Sequence, residues 1–179
     1  MWRLLEIHLD GEIVVIIENI GYWERANKKD AEVLVCTTNN VVKYDGSLVM
    51  GAGIALAFNK EFPMLAQRWG RVVEGMAEGG HTDYGVILDG PRNYNGNIIY
   101  IAGVQTKRHW NEPSPIELVV ESVKKLRDLA DLLCWTRVIC PAFATANGGL
   151  SWRDVEKKIG KILDDRFIII GLSPDGTTL

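Results

Sequence analysis

The chain has 179 residues, of which 47% are hydrophobic and 24% are charged, a balance that suits one globular domain with a buried core. The formal net charge of −3 argues against a strongly basic nucleic-acid-binding domain, although a local cationic patch is compatible with it. The three histidines and three cysteines show no zinc-ligand spacing, so we expect no metal site and no cofactor. Unpaired cysteines and the absence of a long apolar run predict a cytoplasmic protein with no membrane partner.

The first half of the chain begins with a predicted β-hairpin. Residues 3–8 and 12–18 are two strands joined at Asp10-Gly11, a dipeptide that favours tight hairpin turns. A short apolar run at 33–37 predicts a buried strand. Two helices follow, and their predicted extents are 54–60 and about 63–74, the second opening at a proline that suits a first helical turn.

The second half alternates strands with helices. Strands are predicted at 85–88 and 98–104, with a turn-rich segment at 89–97 between them. Ser114 to Glu117 has the pattern of a capping box and precedes a long amphipathic helix. The remaining elements are a strand at 138–140, a helix from the Ser151 cap to about 163, a strand at 167–172 and a loose tail at 173–179.

This order of elements predicts a single domain over residues 1–179 with a three-layer α/β/α fold. The N-terminal hairpin makes the central β-sheet mixed. Because ligands of such sheets collect at the carboxyl ends of the strands, the loops that leave those ends are the candidate binding elements. Two of these loops have an unusual composition.

The first loop, residues 37–55, leaves a buried strand and ends in Gly51-Ala52-Gly53 at a helix start. Glycine allows the backbone to approach a ligand closely, and a helix N-terminus offers unpaired N–H groups that suit a phosphate. The alternative is a glycine-rich turn that packs the helix onto the sheet.

The second loop, residues 141–150, also joins a strand to a capped helix, and Asn147-Gly148-Gly149 could form an anion-binding nest. Its alternative is an ordinary strand-to-helix connection.

Together the two loops resemble those of macro domains, which bind ADP-ribose. Residues 38–40 and 49–55 match the family's first loop, and residues 147–152 match the latter half of its second loop. Thr106-Lys107-Arg108-His109-Trp110 is similar to a segment of the branch whose members remove ADP-ribose from DNA. The resemblance covers about residues 33–172. It implies a macro-domain fold and, as partner, ADP-ribose or an ADP-ribosylated macromolecule, with DNA among the candidates.

The resemblance also implies roles for individual residues. Lys107 is the predicted catalytic amine, and we expect Arg108 to lower its pKa by like-charge repulsion. Asn39 is the second predicted catalytic residue, holding the distal ribose through its amide. The alternatives are a Lys107 that only pairs with phosphates or surface acids, and an Asn39 that braces a turn. The predicted ligand-binding residues are Asn40, Met50, Gly51, Ala52, Gly53, Ile54, Ala144, Thr145, Ala146, Asn147, Gly148 and Gly149.

Two departures from the family leave the activity open. Ala144-Thr145-Ala146 stands where the branch carries glycines around a cysteine, and alanine resists positive φ. Gly148 stands where related hydrolases carry an aspartate, so a lysine–aspartate pair is absent in that form. A hydrolase of ADP-ribosyl linkages or of ADP-ribose-1″-phosphate, a non-catalytic ADP-ribose-binding module and a nucleotide-binding domain unrelated to ADP-ribose are therefore the three hypotheses. Residues 41–48 are longer than in the related branch and predict a flap.

The adenine-binding residues are the least determined part of the site. Glu18 or Asn19, at the end of the second strand, could meet the exocyclic amine of adenine. Phe167 could stack on the ring, but a core position suits this phenylalanine better.

Overall fold

The computed structural model describes residues 4–9, 12–18 and 20–171, and within these ranges seven strands form one sheet. The strands are β1 (Leu4–Leu9), β2 (Glu12–Glu18), β3 (Val33–Thr38), β4 (Val86–Tyr94), β5 (Asn97–Gln105), β6 (Val138–Pro141) and β7 (Phe167–Ile170). Their order is β1-β2-β7-β6-β3-β5-β4. The five inner strands run parallel, and β1 and β4 pair antiparallel at the two edges, so the predicted mixed sheet is confirmed.

Helices cover both faces of this sheet. They are α1 (Tyr22–Ala26), α2 (Gly53–Glu61), α3 (Leu65–Glu78), α4 (Ile116–Leu132) and α5 (Trp152–Ile159). One apolar cluster joins the sheet to α1, α2 and α3, and a second joins it to α4 and α5. Neighbouring strand residues such as Leu34 and Val35 belong to opposite clusters, because side chains alternate along a strand. The predicted three-layer α/β/α fold is confirmed.

The segment predicted as a loop at 89–97 is instead part of an antiparallel β-hairpin. β4 continues to Tyr94, and the turn is made by Asn95 and Gly96, both with positive φ. The strand pairing shifts between Asp89 and Arg92, which accommodates Pro91 in an edge strand where its missing N–H is tolerated. The predicted turn is therefore confirmed only at Asn95 and Gly96, and the rest of the segment belongs to strands.

The predicted capping box at the start of α4 is wrong, whereas the predicted cap of α5 is confirmed. Pro115 occupies the N-cap position of α4, and the buried hydroxyl of Ser114 has no hydrogen-bond partner. Because the helix begins one residue later than the pattern requires, Ser114 lies outside the capping position. Ser151, in contrast, accepts a hydrogen bond from the backbone N–H of Asp154 at 3.2 Å.

Element boundaries also differ from prediction. α3 begins at Leu65 rather than Pro63, and α5 ends at Ile159 rather than near residue 163. The short helix α1 was not predicted. Asp10-Gly11 and the tail at 173–179 lie outside the described residues. No helix within the described ranges is both long and apolar enough to cross a bilayer.

Candidate ligand-binding cleft

The carboxyl ends of the inner strands open into a cleft of about 1380 Å³. Its walls are both ends of the first loop, most of the second loop, the segment that follows β5, and the start of α1. Ligand pockets typically measure about 300–1,000 Å³, so this cleft can take a ligand larger than a mononucleotide. The position at the strand ends is the one predicted for the binding site.

Asn39 braces the first loop from inside. Its amide nitrogen donates to the backbone oxygen of Val49 at 2.9 Å, and its amide oxygen accepts from the backbone N–H of Val41 at 2.9 Å. The residue lines the cleft and is only 7% exposed. These contacts are those of the turn-bracing alternative, and they leave one amide hydrogen and one lone pair for a ligand.

The stretch at 41–48 forms a small hairpin on α3 rather than a flap. Val42 and Leu48 pair in an antiparallel bridge. A Cβ on Gly70 would lie 2.0 Å from the backbone oxygen of Gly46, so this glycine allows the hairpin to pack directly on the helix. None of residues 41–48 lines the cleft. The predicted flap is therefore wrong, because the hairpin packs on α3 and lies away from the cleft.

Two predicted ligand-binding residues lie outside the lining of the cleft. The Asn40 side chain points toward another loop and donates to the backbone oxygen of Thr82 at 2.7 Å. Met50 is 2% exposed and packs in the core on the α2 and α3 side of the sheet. The other ten predicted ligand-binding residues all line the cleft.

The end of the first loop places backbone N–H groups at the cleft. Gly53 opens α2 with φ of +54°, and a Cβ on it would lie 3.0 Å from the amide nitrogen of Asn147. The two loops therefore approach each other here. Among the described residues, no backbone oxygen or side chain accepts a hydrogen bond from the N–H groups of Gly51 or Ala52. Such free donors beside a helix N-terminus suit a phosphate.

The second loop adopts a conformation that is unfavourable for its sequence. Ala144 has φ of +56° and Ala146 has φ of +46°, in the left-handed region that costs an L-residue about 1–2 kcal/mol. A single 3₁₀ turn follows at Ala146–Gly148. The N–H groups of Thr145 and Ala146 meet no acceptor within the described part of the chain. The loop thus keeps an anion-binding shape although alanines replace the glycines that would favour it.

Gly148 packs closely against Ser114. A Cβ on this residue would lie 2.8 Å from the hydroxyl oxygen of Ser114, and the backbone oxygen of Gly148 accepts from the N–H of Ser114 at 2.9 Å. The second loop is therefore closely packed against the start of α4. A side chain at position 148 would have to displace the Ser114 hydroxyl.

Lys107 joins the strand edge to the second loop. Its backbone N–H and that of Thr106 donate to the backbone oxygen of Thr38, at 3.3 and 3.0 Å. Its amine donates to the backbone oxygens of Asn147 and of Trp110, the latter at 3.3 Å. The half-buried amine thus lies where the two loops meet.

The pKa of Lys107 is lowered, as predicted, but the predicted cause is wrong. Burial of the amine lowers this pKa, because desolvation disfavours the charged form. Arg108 is instead paired with Asp83, with a guanidinium nitrogen 2.7 Å from a carboxylate oxygen. The buried Gln105 side chain donates to the same carboxylate at 3.1 Å. The charge of Arg108 is therefore neutralised outside the cleft.

Several residues that shape the cleft were not predicted. The buried Tyr84 hydroxyl donates to the backbone oxygen of Asn39 at 2.8 Å, so the Thr38 hydroxyl, 2.5 Å away, must be the donor in their contact. Burial raises the pKa of Tyr84 well above its ordinary range. Tyr22 and Glu24 line the far end of the cleft from α1. A five-residue helix carries no periodic signal, and the Tyr84 contacts connect positions 45 residues apart, so the sequence offered no local sign of either.

The structure describes two of the three residues that were considered for contact with adenine. Glu18 lies 3.0 Å from the buried guanidinium of Arg25, which occupies its carboxylate. Asn19 lies outside the described residues. Phe167 is fully buried in the core, as expected. At the end of the cleft away from Lys107, the lining consists of Ile20, Gly21, Tyr22, Glu24, Ile170 and Gly171.

Comparison with known proteins gives consistent matches. The family model of the macro domain matches residues 41–159. Curated relatives named DNA ADP-ribosyl glycohydrolase, from Thermus aquaticus and Mycobacterium bovis, are 33% and 30% identical over 133 and 139 residues, each match covering 74% of this chain. These matches cover 34% and 35% of the relatives, so the chain spans about a third of their length.

Solved structures agree with the sequence matches. The macrodomain of Thermus aquaticus DarG superimposes with a TM-score of 0.64 at 28% identity, covering 86% of this chain and 95% of that one. Thermosipho africanus DarTG, solved in complex with ADP-ribose, superimposes with a TM-score of 0.64 at 19% identity. That match covers 90% of this chain and 43% of the other, and at this identity it supports the fold alone.

Proposed function

The chain belongs to the macro domain family, and we propose that its cleft binds ADP-ribose and that the protein hydrolyses an ADP-ribosyl linkage, with a DNA base as the first candidate substrate. The observation that carries the proposal is the half-buried Lys107 amine at the meeting point of the two loops. The names of the curated relatives support DNA as the modified molecule. Protein linkages and ADP-ribose-1″-phosphate are the substrates against which this choice must be tested.

The diphosphate belongs between the two loops. Free N–H groups of the first loop at Gly51 and Ala52 and of the second loop at Thr145 and Ala146 supply donors without a formal positive charge. A diphosphate held there directs one ribose toward α1 and the other toward Lys107. The distal ribose then lies beside Asn39, whose remaining amide hydrogen and lone pair can bind its hydroxyls.

The reaction adds the elements of water across the bond to the anomeric carbon. The hydroxyl goes to that carbon and the proton to the departing nitrogen or oxygen. Neutral Lys107 can accept a proton from the attacking water, or attack the anomeric carbon itself before water releases the product. Both routes require the uncharged amine, and burial increases the fraction of Lys107 in that form.

A binding module without catalytic activity is the second candidate. It is favoured by the contacts of the Lys107 amine with two backbone oxygens, which stabilise the charged form. It is also favoured by Gly148, which packs against Ser114 and offers no catalytic carboxylate. In that case the cleft would retain ADP-ribose and the amine would serve as a cationic clamp.

Two assays separate these functions. Calorimetry with ADP-ribose, AMP and NAD should show that ADP-ribose binds most tightly. AMP is too short to reach from α1 to Lys107, and NAD carries a nicotinamide at the end that would lie beside Lys107. Incubation with an ADP-ribosylated oligonucleotide, an ADP-ribosylated protein and ADP-ribose-1″-phosphate should release ADP-ribose fastest from the oligonucleotide. ADP-ribose binding without turnover of any of the three would establish the binding module, and no binding would refute both functions.

We propose that the protein is cytoplasmic. Cys36 and Cys140 are buried free thiols, and Cys134 is an exposed one. Exposed free thiols persist in reducing compartments. Fractionation of the source cells would test this location.

A further inference from the structure

Gln105, the last residue of β5, has a fully buried side-chain amide that does not itself line the cleft. The amide oxygen accepts from the backbone N–H groups of Tyr84 and Gly85, at 2.9 and 3.3 Å. The amide nitrogen donates to a carboxylate oxygen of Asp83 at 3.1 Å and to the backbone oxygen of Lys107 at 3.2 Å. Both hydrogens and both lone pairs of the amide are therefore used.

The Lys107 backbone lies just beyond the end of β5, where regular strand pairing has ended. Its N–H donates to the backbone oxygen of Thr38 at 3.3 Å, longer than a typical N–H···O distance. The Gln105 amide holds the carbonyl of the same residue. Together these contacts fix the peptide groups on both sides of Lys107, and with them the direction in which its side chain leaves the backbone toward Asn147.

The carboxylate of Asp83 joins the same amide to the next residue of the segment. One of its oxygens accepts from Gln105, and both accept from the guanidinium of Arg108. The ion pair with Arg108 is partly exposed, so water screens it and it contributes little by itself. The Gln105 amide is fully buried, and a buried network whose hydrogen bonds are all made rigidifies the groups that it joins. Gln105 is therefore the inner and stronger anchor of the segment that carries Lys107.

We infer that Gln105 is a positioning residue, whose side-chain amide holds the Lys107 backbone so that the amine meets the anomeric carbon of the bound ligand. This inference rests on the proposed function and adds to it a residue that does not line the cleft. A displacement of about 1 Å in a reacting group can lower a rate about 100-fold. ADP-ribose binding depends instead on the N–H groups of the two loops. Loss of the Gln105 amide should therefore lower kcat and leave ADP-ribose affinity unchanged.

The test compares two variants of Gln105 with a matched control. Gln105→Glu keeps an acceptor for the N–H groups that enter β4 but, when ionised, cannot donate to the Lys107 backbone, and Gln105→Met removes the same donor without adding a charge. In folded samples of both, kcat for the ADP-ribosylated oligonucleotide should fall about 10- to 100-fold, while ADP-ribose affinity changes less than about twofold. The control is Glu32→Gln, the reverse exchange at the opposite end of the sheet, where Glu32 accepts from the N–H of Thr136 at 2.6 Å. Its kcat should match that of the wild type.

A double-mutant cycle separates positioning from a purely structural role. In a Lys107→Met background, Gln105→Met should lower the residual rate less than about twofold, because an amide that acts through the amine then has nothing to position. Equal losses in both backgrounds, or a loss of ADP-ribose affinity that matches the loss of kcat, would show that Gln105 only supports the fold. Wild-type kcat in both single variants would overturn the inference and leave the proposed function intact. A wild-type protein that cleaves no ADP-ribosyl linkage would overturn the proposed hydrolase, and the inference with it.

Discussion

The two loops of the cleft are held in shape by different means. In the first loop, Asn39 bonds to backbone atoms on both sides of the hairpin, and the hairpin packs on Gly70 of α3. Apart from glycines, none of its residues has positive φ. In the second loop, Ala144 and Ala146 are forced into the left-handed region. Neighbouring elements thus hold the first loop in an unstrained backbone conformation and the second in a strained one.

This difference determines how each loop should respond to substitution. The second loop is held by Ser114 against Gly148 and by the Lys107 amine on the backbone oxygen of Asn147. Its conformation is maintained by residues outside it, including the one proposed to act in catalysis. A change in the first loop can only damage the site, whereas a glycine placed in the second loop can relieve strain. The following predictions test this contrast.

The largest effect is expected at Lys107, which connects the two loops. Lys107→Arg and Lys107→Met should each lower turnover of the ADP-ribosylated oligonucleotide by roughly 100- to 10,000-fold, because neither side chain offers a neutral amine. ADP-ribose affinity, measured by calorimetry, should stay within about fivefold, since the N–H groups of both loops remain. Full activity in Lys107→Arg would show that the lysine is only an electrostatic clamp.

The second-largest effect is expected at Gly51 of the first loop, where a larger side chain would block the space for the diphosphate. A Cβ on Gly51 would meet nothing within 4 Å, and this glycine does not have positive φ, so Gly51→Val should fold normally. Its side chain would fill the space of the diphosphate and weaken ADP-ribose binding by about 100-fold or more, as calorimetry would show. Gly75→Val, in an open position on α3, is the matched control and should bind normally. Equal affinity in the two variants would place the diphosphate elsewhere.

The pH dependence of turnover should identify the form of Lys107 that acts. Burial lowers its pKa, so the neutral amine is absent at low pH and accumulates as the pH rises. We expect kcat for the oligonucleotide to rise up to about tenfold per pH unit and to level off above the lowered pKa of the amine. A rate that falls with rising pH over the same range would require the charged lysine and would favour the clamp.

The smallest effect should appear in the second loop, at Ala146. Glycine there relieves a left-handed alanine, which costs about 1–2 kcal/mol, but it also adds about 0.4–1 kcal/mol of entropy to the unfolded chain. Ala146→Gly should therefore raise the free energy of unfolding by up to about 1.5 kcal/mol in urea titrations and bind ADP-ribose at least as tightly. The control Ala142→Gly, where φ is not positive, should lower stability instead. If both variants are destabilised, the second loop is not strained.

The same contrast explains what the sequence could predict. The glycine-bearing loops were predicted because their signals are local: a strand, a short unusual composition and a helix start. The sheet and its layers were found for the same reason. Lys107 was predicted from the resemblance of its segment to a branch of the macro domain family, and its catalytic role stays a prediction. The positive φ of Ala144 and Ala146 contradicts the preference of alanine, so only the packing around them could show it.

The missed features are those that depend on distant parts of the chain. Tyr84 donates a hydrogen bond to the backbone oxygen of Asn39, 45 residues away in the sequence. Gly70 of α3 leaves the space in which the hairpin at 41–48 packs. The capping pattern at Ser114 was locally convincing, but this serine packs on Gly148 of the second loop. The cause of the Lys107 pKa shift was misassigned because Arg108, its neighbour in sequence, is bound by Asp83. In each case a long-range contact overrode a local signal.

A crystal structure of the protein with ADP-ribose would test the central claim most directly, namely that both loops hold the diphosphate and present the distal ribose to Lys107. The account predicts phosphate oxygens within hydrogen-bonding distance, about 2.7–3.2 Å, of N–H groups from both Gly51-Ala52 and Thr145-Ala146. It also predicts the anomeric carbon about 3–3.5 Å from the Lys107 amine, with that amine released from the backbone oxygen of Asn147. A diphosphate that contacts only one loop, or a distal ribose directed away from Lys107, would contradict it.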